Sequence, residues 1–146
     1  MILGLGVDIL DIQRIKKIFT TYPNKLVQHL LSNTEKYEFD LLSNDANKVS
    51  FLSKRFVAKE ALGKAIGCGI NNKYLSLKDI TIAHDRLGRP FFIKNAKITE
   101  AVRKLHHLSN YEILLSIADE KNYAVAHVIL QDIEHPIMGF VANHEK

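Results

Sequence analysis

The sequence predicts an α+β fold, and three observations carry that reading. Runs with the two-residue period of strands and runs with the 3.6-residue period of helices both occur, without the strict strand–helix alternation of a parallel sheet. Two pairs of β-rich runs are joined by short turn-like segments, which predicts antiparallel hairpins. One helical run is much longer than the rest, which predicts a central helix packed on a mainly antiparallel sheet. The 146 residues fit a single compact domain, large enough to bury a core without staples.

Taken in order, Leu3, Leu5, Val7 and Ile9 alternate as in a half-buried strand, with Gly4, Gly6 and Asp8 on its other face. Asp11 is placed to cap a helix that begins near Ile12. Ile12, Ile15, Phe19 and Tyr22 form its apolar stripe, Arg14, Lys17 and Thr21 sit opposite, and Pro23-Asn24 ends it. Ser32-Asn33-Thr34-Glu35 has the pattern of a capping box and predicts a short helix through Tyr37 and Leu41. Ser43 to Asn47 is loop composition. The longest helical run extends from about Lys48 to Ile66, with Phe51, Ala58, Leu62 and Ala65 on one face and Gly67-Cys68-Gly69 as its stop.

Asp79 to Ala83 reads as a strand, Phe91 to Ile93 as its return, and Asp85 to Pro90 as the loop between them. Thr99 to Leu108 is expected to be helical. Glu112 to Ala118 and Tyr123 to Leu130 form a second hairpin around Asp119 to Asn122. The domain is expected over residues 1–131. Residues 132–146 form a C-terminal extension without a clear period, expected to be flexible.

Hydrophobic residues make up 47% and charged residues 25%, the values of an ordinary globular protein and not of a disordered chain. Twenty Lys and Arg against 16 Asp and Glu give a formal charge of +4. That excess permits an anionic partner without choosing among a phosphate ligand, an acidic protein and a nucleic acid. The absence of Trp and of any RNA-binding signature disfavours nucleic acid. A single cysteine, Cys68, excludes an intrachain disulfide and a thiolate zinc cluster, and fits a reducing compartment. No apolar run approaches the roughly 20 residues of a membrane span. The first eight residues lack a basic segment and end on Asp8, unlike a secretory leader. A soluble, cytoplasmic protein with neither membrane nor nucleic-acid partner is expected.

Two carboxylates stand out. Asp8 follows two glycines at the end of the first strand, and Glu60 lies about 200° around the long helix from Ala58, away from the apolar face. If they meet in space they offer a hard, oxygen-only, partly filled cation site, which suits Mg²⁺ with water and substrate phosphate as its other ligands. The alternative is that Asp8 caps a turn and Glu60 pairs with Lys64 at i,i+4. Arg55, Lys59 and Lys64 form a basic group near Gly67 and Gly69, where backbone N–H groups could approach a polyphosphate; the alternative is a solvated helix face. Dinucleotide, P-loop and nucleophile-elbow motifs are missing. Cys68 has no base partner, and the seven histidines show no metal-binding spacing.

Together these pieces resemble the holo-[acyl-carrier-protein] synthases, the short 4′-phosphopantetheinyl transferases. Gly4-Leu5-Gly6-Val7-Asp8-Ile9 is similar to the family's first signature. Arg55-Phe56-Val57-Ala58-Lys59-Glu60-Ala61, with Lys64-Ala65-Ile66-Gly67-Cys68-Gly69, is similar to its second and more specific one. Gly88-Arg89-Pro90, Leu115-Ser116-Ile117 and Tyr123-Ala124-Val125-Ala126 match shorter elements, so the resemblance spans residues 1–131.

The resemblance implies transfer of 4′-phosphopantetheine from coenzyme A to a serine of apo-acyl carrier protein, with release of adenosine 3′,5′-bisphosphate, in fatty acid biosynthesis. It implies Mg²⁺ held by Asp8 and Glu60, with Asp8, Glu60 and Lys64 as the catalytic set. Coenzyme A is expected at Arg55, Lys59, Lys64, Gly67, Gly69, Arg89 and Pro90, and the acidic carrier protein at Arg14 and Lys17 on the first helix. It further implies a homotrimer with sites between subunits.

Attack of an alcohol on a pyrophosphate needs positioning and charge neutralisation more than a protein nucleophile, in line with the lack of one here. One departure is Asp119, which stands where many relatives have histidine, as a further acid of the site or a turn residue. A non-catalytic coenzyme A or nucleic-acid binding module is the alternative function. It would gain nothing from two acids beside its phosphate.

Overall fold

The structure is a computed structural model and describes residues 1–133. The expected extension therefore lies outside the described residues apart from Asp132, which closes the last strand, and Ile133.

The elements run β1 (Ile2–Asp11), α1 (Ile12–Thr21), α2 (Pro23–Leu30), α3 (Asn33–Asp40), α4 (Asp45–Ile66), β2 (Ile82–His84), β3 (Pro90–Phe92), α5 (Ala96–His106), β4 (Tyr111–Asp119) and β5 (Tyr123–Asp132). β1, β5 and β4 form an antiparallel sheet in that order, and β2 and β3 form a separate hairpin. The α+β expectation holds, with α4 as the long central helix lying across β1 and β5.

Local chemistry explains most boundaries. The Asp11 carboxylate accepts from the Gln13 N–H at 2.9 Å and starts α1. Ser32 and Glu35 exchange the two hydrogen bonds of a capping box at the start of α3. Gly67, at φ 85°, ends α4 in the left-handed conformation that glycine tolerates best. α2 is absent from the sequence reading. Pro23 ends α1 as expected but also opens α2, at a position where its missing N–H costs nothing. α5 starts three residues earlier than expected because the Asn95 side chain caps it, accepting from the Ile98 N–H at 3.0 Å.

The faces of β1 are reversed relative to the half-buried reading. Leu5 and Ile9 are 63% and 65% exposed, while the glycine face lies on α4. A Cβ at Gly4 would come within 1.9 Å of the Ala65 carbonyl oxygen, and one at Gly6 within 1.9 Å of that of Ala61. Glycine on the strand and alanine on the helix therefore let the two backbones touch. The neighbouring strand continues this surface with Ala124 and Ala126.

On its other side α4 carries charge into the core. Arg55 and Lys59 fall in a stripe with Leu52, Leu62 and Ile66 at 3-4-3-4 spacing, and all five are buried. Their partner is Glu35, itself fully buried. Glu35 Oε2 accepts from the Ser32 N–H at 3.0 Å and from Lys59 Nζ at 2.5 Å. Glu35 Oε1 accepts from the Ile82 N–H at 3.0 Å and lies 3.2 Å from Arg55 Nε. Lys59 also donates to the Leu30 carbonyl at 2.8 Å, and Arg55 donates to Glu38 at 3.0 Å while stacking on Phe51. The cluster ties α2, α3, α4 and β2 at one point. Removing one member of such a buried pair costs about 3–5 kcal/mol, because the other charge is left without a partner.

Gly6→Ala is expected to lose about 3 kcal/mol of stability through backbone overlap, whereas Gly88→Ala, with open space around it, loses about 1 kcal/mol to its positive φ. Equal losses in denaturant melts would contradict the close helix–strand contact. Burial lowers the Lys59 amine to about 8 from 10.5, against the opposing pull of Glu35. The folded chain thus gives up this proton before the unfolded one, so this group's contribution to stability rises with pH between about 8 and 10.5. A ¹³Cε titration should show one lysine with a midpoint near 8 that disappears in Lys59→Met. All lysines titrating near 10.5 would contradict the buried ammonium.

Candidate active site

The helix–strand contact that uses Gly4 and Gly6 places Asp8, two residues further along the same strand face, beside the C-terminal half of α4. Lys64 reaches across from the helix. Its Nζ donates to Asp8 Oδ1 at 2.8 Å and to the Val7 carbonyl at 2.9 Å. Glu60, one turn before Lys64, feels both groups. Its carboxyl lies above the ordinary range, first through burial and then through the negative charge of Asp8, with Lys64 pulling the other way.

Sequence reading left two alternatives for these acids, and neither matches the geometry. The cap of α1 is Asp11, not Asp8. The close partner of Lys64 is Asp8. Two coupled carboxylates, one with a raised pKa, are the donor set a hard divalent cation neutralises. No group of three or more His, Cys, Asp or Glu with metal-binding geometry occurs among the described residues. The donor set fits Mg²⁺, which takes one or two carboxylates and completes its shell with water and phosphate oxygens.

Glu60 also lines a cleft of about 600 Å³ between α1, α2 and α4. Its walls are apolar, from Leu10, Ile15, Ile18, Tyr22, Leu26 and Phe56, and Arg14, Lys25 and His29 add basic groups. Arg14 thus shares a cleft with Glu60. Lys17, the other expected docking residue, is exposed on α1 and does not line it. Lys25 and His29 were missed because α2 was missed.

The residues expected to bind phosphate lie in three different settings. Arg55 and Lys59 are not a solvated face: both are buried, Lys59 bonded to Glu35 and the Leu30 carbonyl, and Arg55 to Glu38, with its Nε beside Glu35 but without a hydrogen-bond partner. Their place in the apolar stripe with Leu52, Leu62 and Ile66 is the sequence signal that announces burial. Gly67 and Gly69 do not offer free amides. The N–H groups of Gly67, Cys68 and Gly69 all donate to the Gly63 carbonyl at 3.0–3.1 Å. Gly63 was not singled out, yet a Cβ there would meet Gly69 at 2.8 Å. Arg89 and Pro90 line a separate depression of about 410 Å³ with Phe91, Lys94 and Leu114, and Arg89 pairs with Asp85 at 3.3 Å.

Asp119 ends β4 facing α4. It lies 3.6 Å from Lys54 Nζ and accepts from the Ser50 hydroxyl at 3.3 Å. It is a strand-end residue tied to the first half of α4. Burial pushes the Cys68 thiol up, as suits an inert residue. His106 bonds the Ile66 carbonyl at 2.9 Å and pins the end of α4.

The chain is similar to known proteins over most of its length. A family model described as the 4′-phosphopantetheinyl transferase superfamily matches residues 4–128. A holo-[acyl-carrier-protein] synthase of Pelagibacter ubique is 45% identical over 130 residues, covering 89% of this chain and 97% of that one. A crystal structure of the holo-[acyl-carrier-protein] synthase of Neisseria meningitidis superposes with a TM-score of 0.79 at 32% identity, over 90% of this chain and 100% of that one. A Bacillus anthracis holo-(acyl-carrier-protein) synthase in complex with CoA (3′,5′-ADP) gives a TM-score of 0.74 at 32% identity, over 90% and 98%.

Proposed function

The chain belongs to the 4′-phosphopantetheinyl transferase superfamily, and on that premise we propose how its own residues carry out the transfer. It moves 4′-phosphopantetheine from coenzyme A to a serine hydroxyl of apo-acyl carrier protein and leaves adenosine 3′,5′-bisphosphate. The observation that carries the site assignment is the contact of Lys64 on α4 with Asp8 on β1 at 2.8 Å, one helical turn from Glu60, which shares a cleft with Arg14.

Asp8 and Glu60 would hold Mg²⁺, whose chemistry when bound is to neutralise charge on the pyrophosphate and on the departing phosphate. Glu60, which lines the cleft, is the group of this chain that would accept the serine proton. Lys64, half exposed at the end of a flexible stem, is free to turn toward the pyrophosphate and to oppose charge on the leaving group. Arg55 and Lys59 act indirectly. Through Glu35 they hold α4 against α3, so that Glu60 and Lys64 are fixed relative to β1.

The carrier protein supplies the nucleophile, and its acidic surface suits the cleft of α1 and α2, with Arg14 and Lys25 at the cleft and Lys17 adding long-range attraction. The two acids and the transferase relatives speak against a mere binding module. The single cysteine and the coenzyme A substrate support our reading of a cytoplasmic enzyme that serves fatty acid biosynthesis. No helix among the described residues is long and apolar enough to cross a membrane.

A homotrimer accounts for the reversed faces of β1. Leu5, Val7 and Ile9 pair across to Ile129, His127 and Val125, and those pair to Leu114, Ser116 and Ala118. This outer sheet face is largely apolar and exposed, as a surface between subunits is before assembly. Leu114 also lines the depression of Arg89 and Pro90, so those two residues sit where a neighbouring subunit's site could use them.

The transfer is checked by intact mass spectrometry of apo-acyl carrier protein incubated with the chain, coenzyme A and Mg²⁺. One phosphopantetheine should be added, and EDTA should abolish the addition. Asp8→Asn and Glu60→Gln should each slow transfer by about 10²-fold or more while remaining folded. Full turnover in both would overturn the site. Sedimentation should give three times the 16.6 kDa of the chain, and Ile9→Glu should shift the protein to monomer. A trimer that tolerates Ile9→Glu would remove this sheet face from the interface.

A further inference from the structure

From the contacts of Lys64 we infer that its ammonium competes for the Asp8 carboxylate with the divalent cation, and so makes cation binding depend on the arrival of a pyrophosphate. This rests on the reading of Asp8 and Glu60 as the cation's ligands.

The geometry is specific. Lys64 Nζ sits 2.8 Å from Asp8 Oδ1 and is held there by a second bond, 2.9 Å, to the Val7 carbonyl. Asp8 is mostly buried, with a side chain 16% exposed, so its carboxylate offers limited approach. Lys64 is 51% exposed and can leave without disturbing the core. A divalent cation bound to that carboxylate stands about 2.1 Å from an oxygen. It would then lie a few ångströms from an ammonium that already occupies one oxygen's bonding direction. The two cations repel at that separation, all the more strongly in a partly buried site.

Glu60 feels both Asp8 and Lys64, so the three groups form one charge unit of two acids and one base. A single ammonium leaves the unit with one net negative charge. A divalent cation added beside it would leave one net positive charge, which disfavours entry. A pyrophosphate changes the balance by giving Lys64 another anion to bind. Lys64 then moves off Asp8, and the cation and the pyrophosphate bind with positive coupling, each improving the other's affinity equally.

The test measures Mn²⁺ as a probe of the cation site in the full chain, by electron paramagnetic resonance, without any turnover. Lys64→Met removes the charge at a half-exposed position and is expected to bind Mn²⁺ about tenfold or more tightly than the parent in the absence of nucleotide. Adding adenosine 3′,5′-bisphosphate, and separately pyrophosphate, should tighten Mn²⁺ binding by the parent and do so less in Lys64→Met. Unchanged or weaker Mn²⁺ binding by a folded Lys64→Met overturns the competition. Asp8→Asn separates the two readings. Its loss of Mn²⁺ binding confirms the ligand on which the inference stands, and parent-like affinity in Asp8→Asn overturns the cation site itself.

Discussion

The buried carboxylate of Glu35 is the point on which the rest of the structure depends. It accepts from two backbone N–H groups and from Lys59, and Arg55 lies beside it, so that α3, α4 and β2 meet at one charge. An isolated carboxylate could not be held there, since desolvation costs several kcal/mol that only close partners repay. The partners are numerous enough to repay it, and they come from different elements. The cluster therefore acts as a register device. It sets the rotation of α4 about its own axis, and with it the direction in which Glu60 and Lys64 emerge on the opposite side.

The other constraint is the contact of bare backbones between β1 and α4. Gly4 and Gly6 bring the strand against the carbonyls of Ala65 and Ala61, closer than any side chain would allow. Asp8 follows on the same strand face, and its distance from α4 is set by those glycines. Glu35 fixes how α4 is turned, and the glycines fix how near β1 comes. The site lies where both constraints act. That arrangement explains how two acids and a lysine from elements more than fifty residues apart in sequence form one electrostatic unit.

Much of this was legible in the amino-acid order. The capping box at Ser32 and Glu35, the glycine stop at Gly67 and both hairpins follow from local rules and match the structure. Asp8 and Glu60 stood out by placement, and the structure brings them into mutual influence. What was not legible depends on partners distant in sequence. The alternation of Leu5, Val7 and Ile9 says that one face of β1 is apolar, but not that the glycine face would take the core and leave the apolar face outward. The charges of Arg55 and Lys59 suggested a ligand, when their spacing with Leu52 and Leu62 placed them in the core beside Glu35. Gly67 and Gly69 looked like an anion cradle, yet the Gly63 carbonyl takes their amides, a bond no spacing rule announces.

The central claim is that Asp8 and Glu60 form a two-acid cation site which a pyrophosphate completes. The most direct measurement is a crystal structure of the chain with coenzyme A and Mn²⁺, with the cation located by anomalous scattering. The account predicts a single peak within bonding distance of both carboxylates and of the pyrophosphate, with Lys64 turned from Asp8 onto phosphate oxygen. A peak bound by other residues, or a bound coenzyme A with Lys64 still on Asp8 and no cation between the acids, would contradict it.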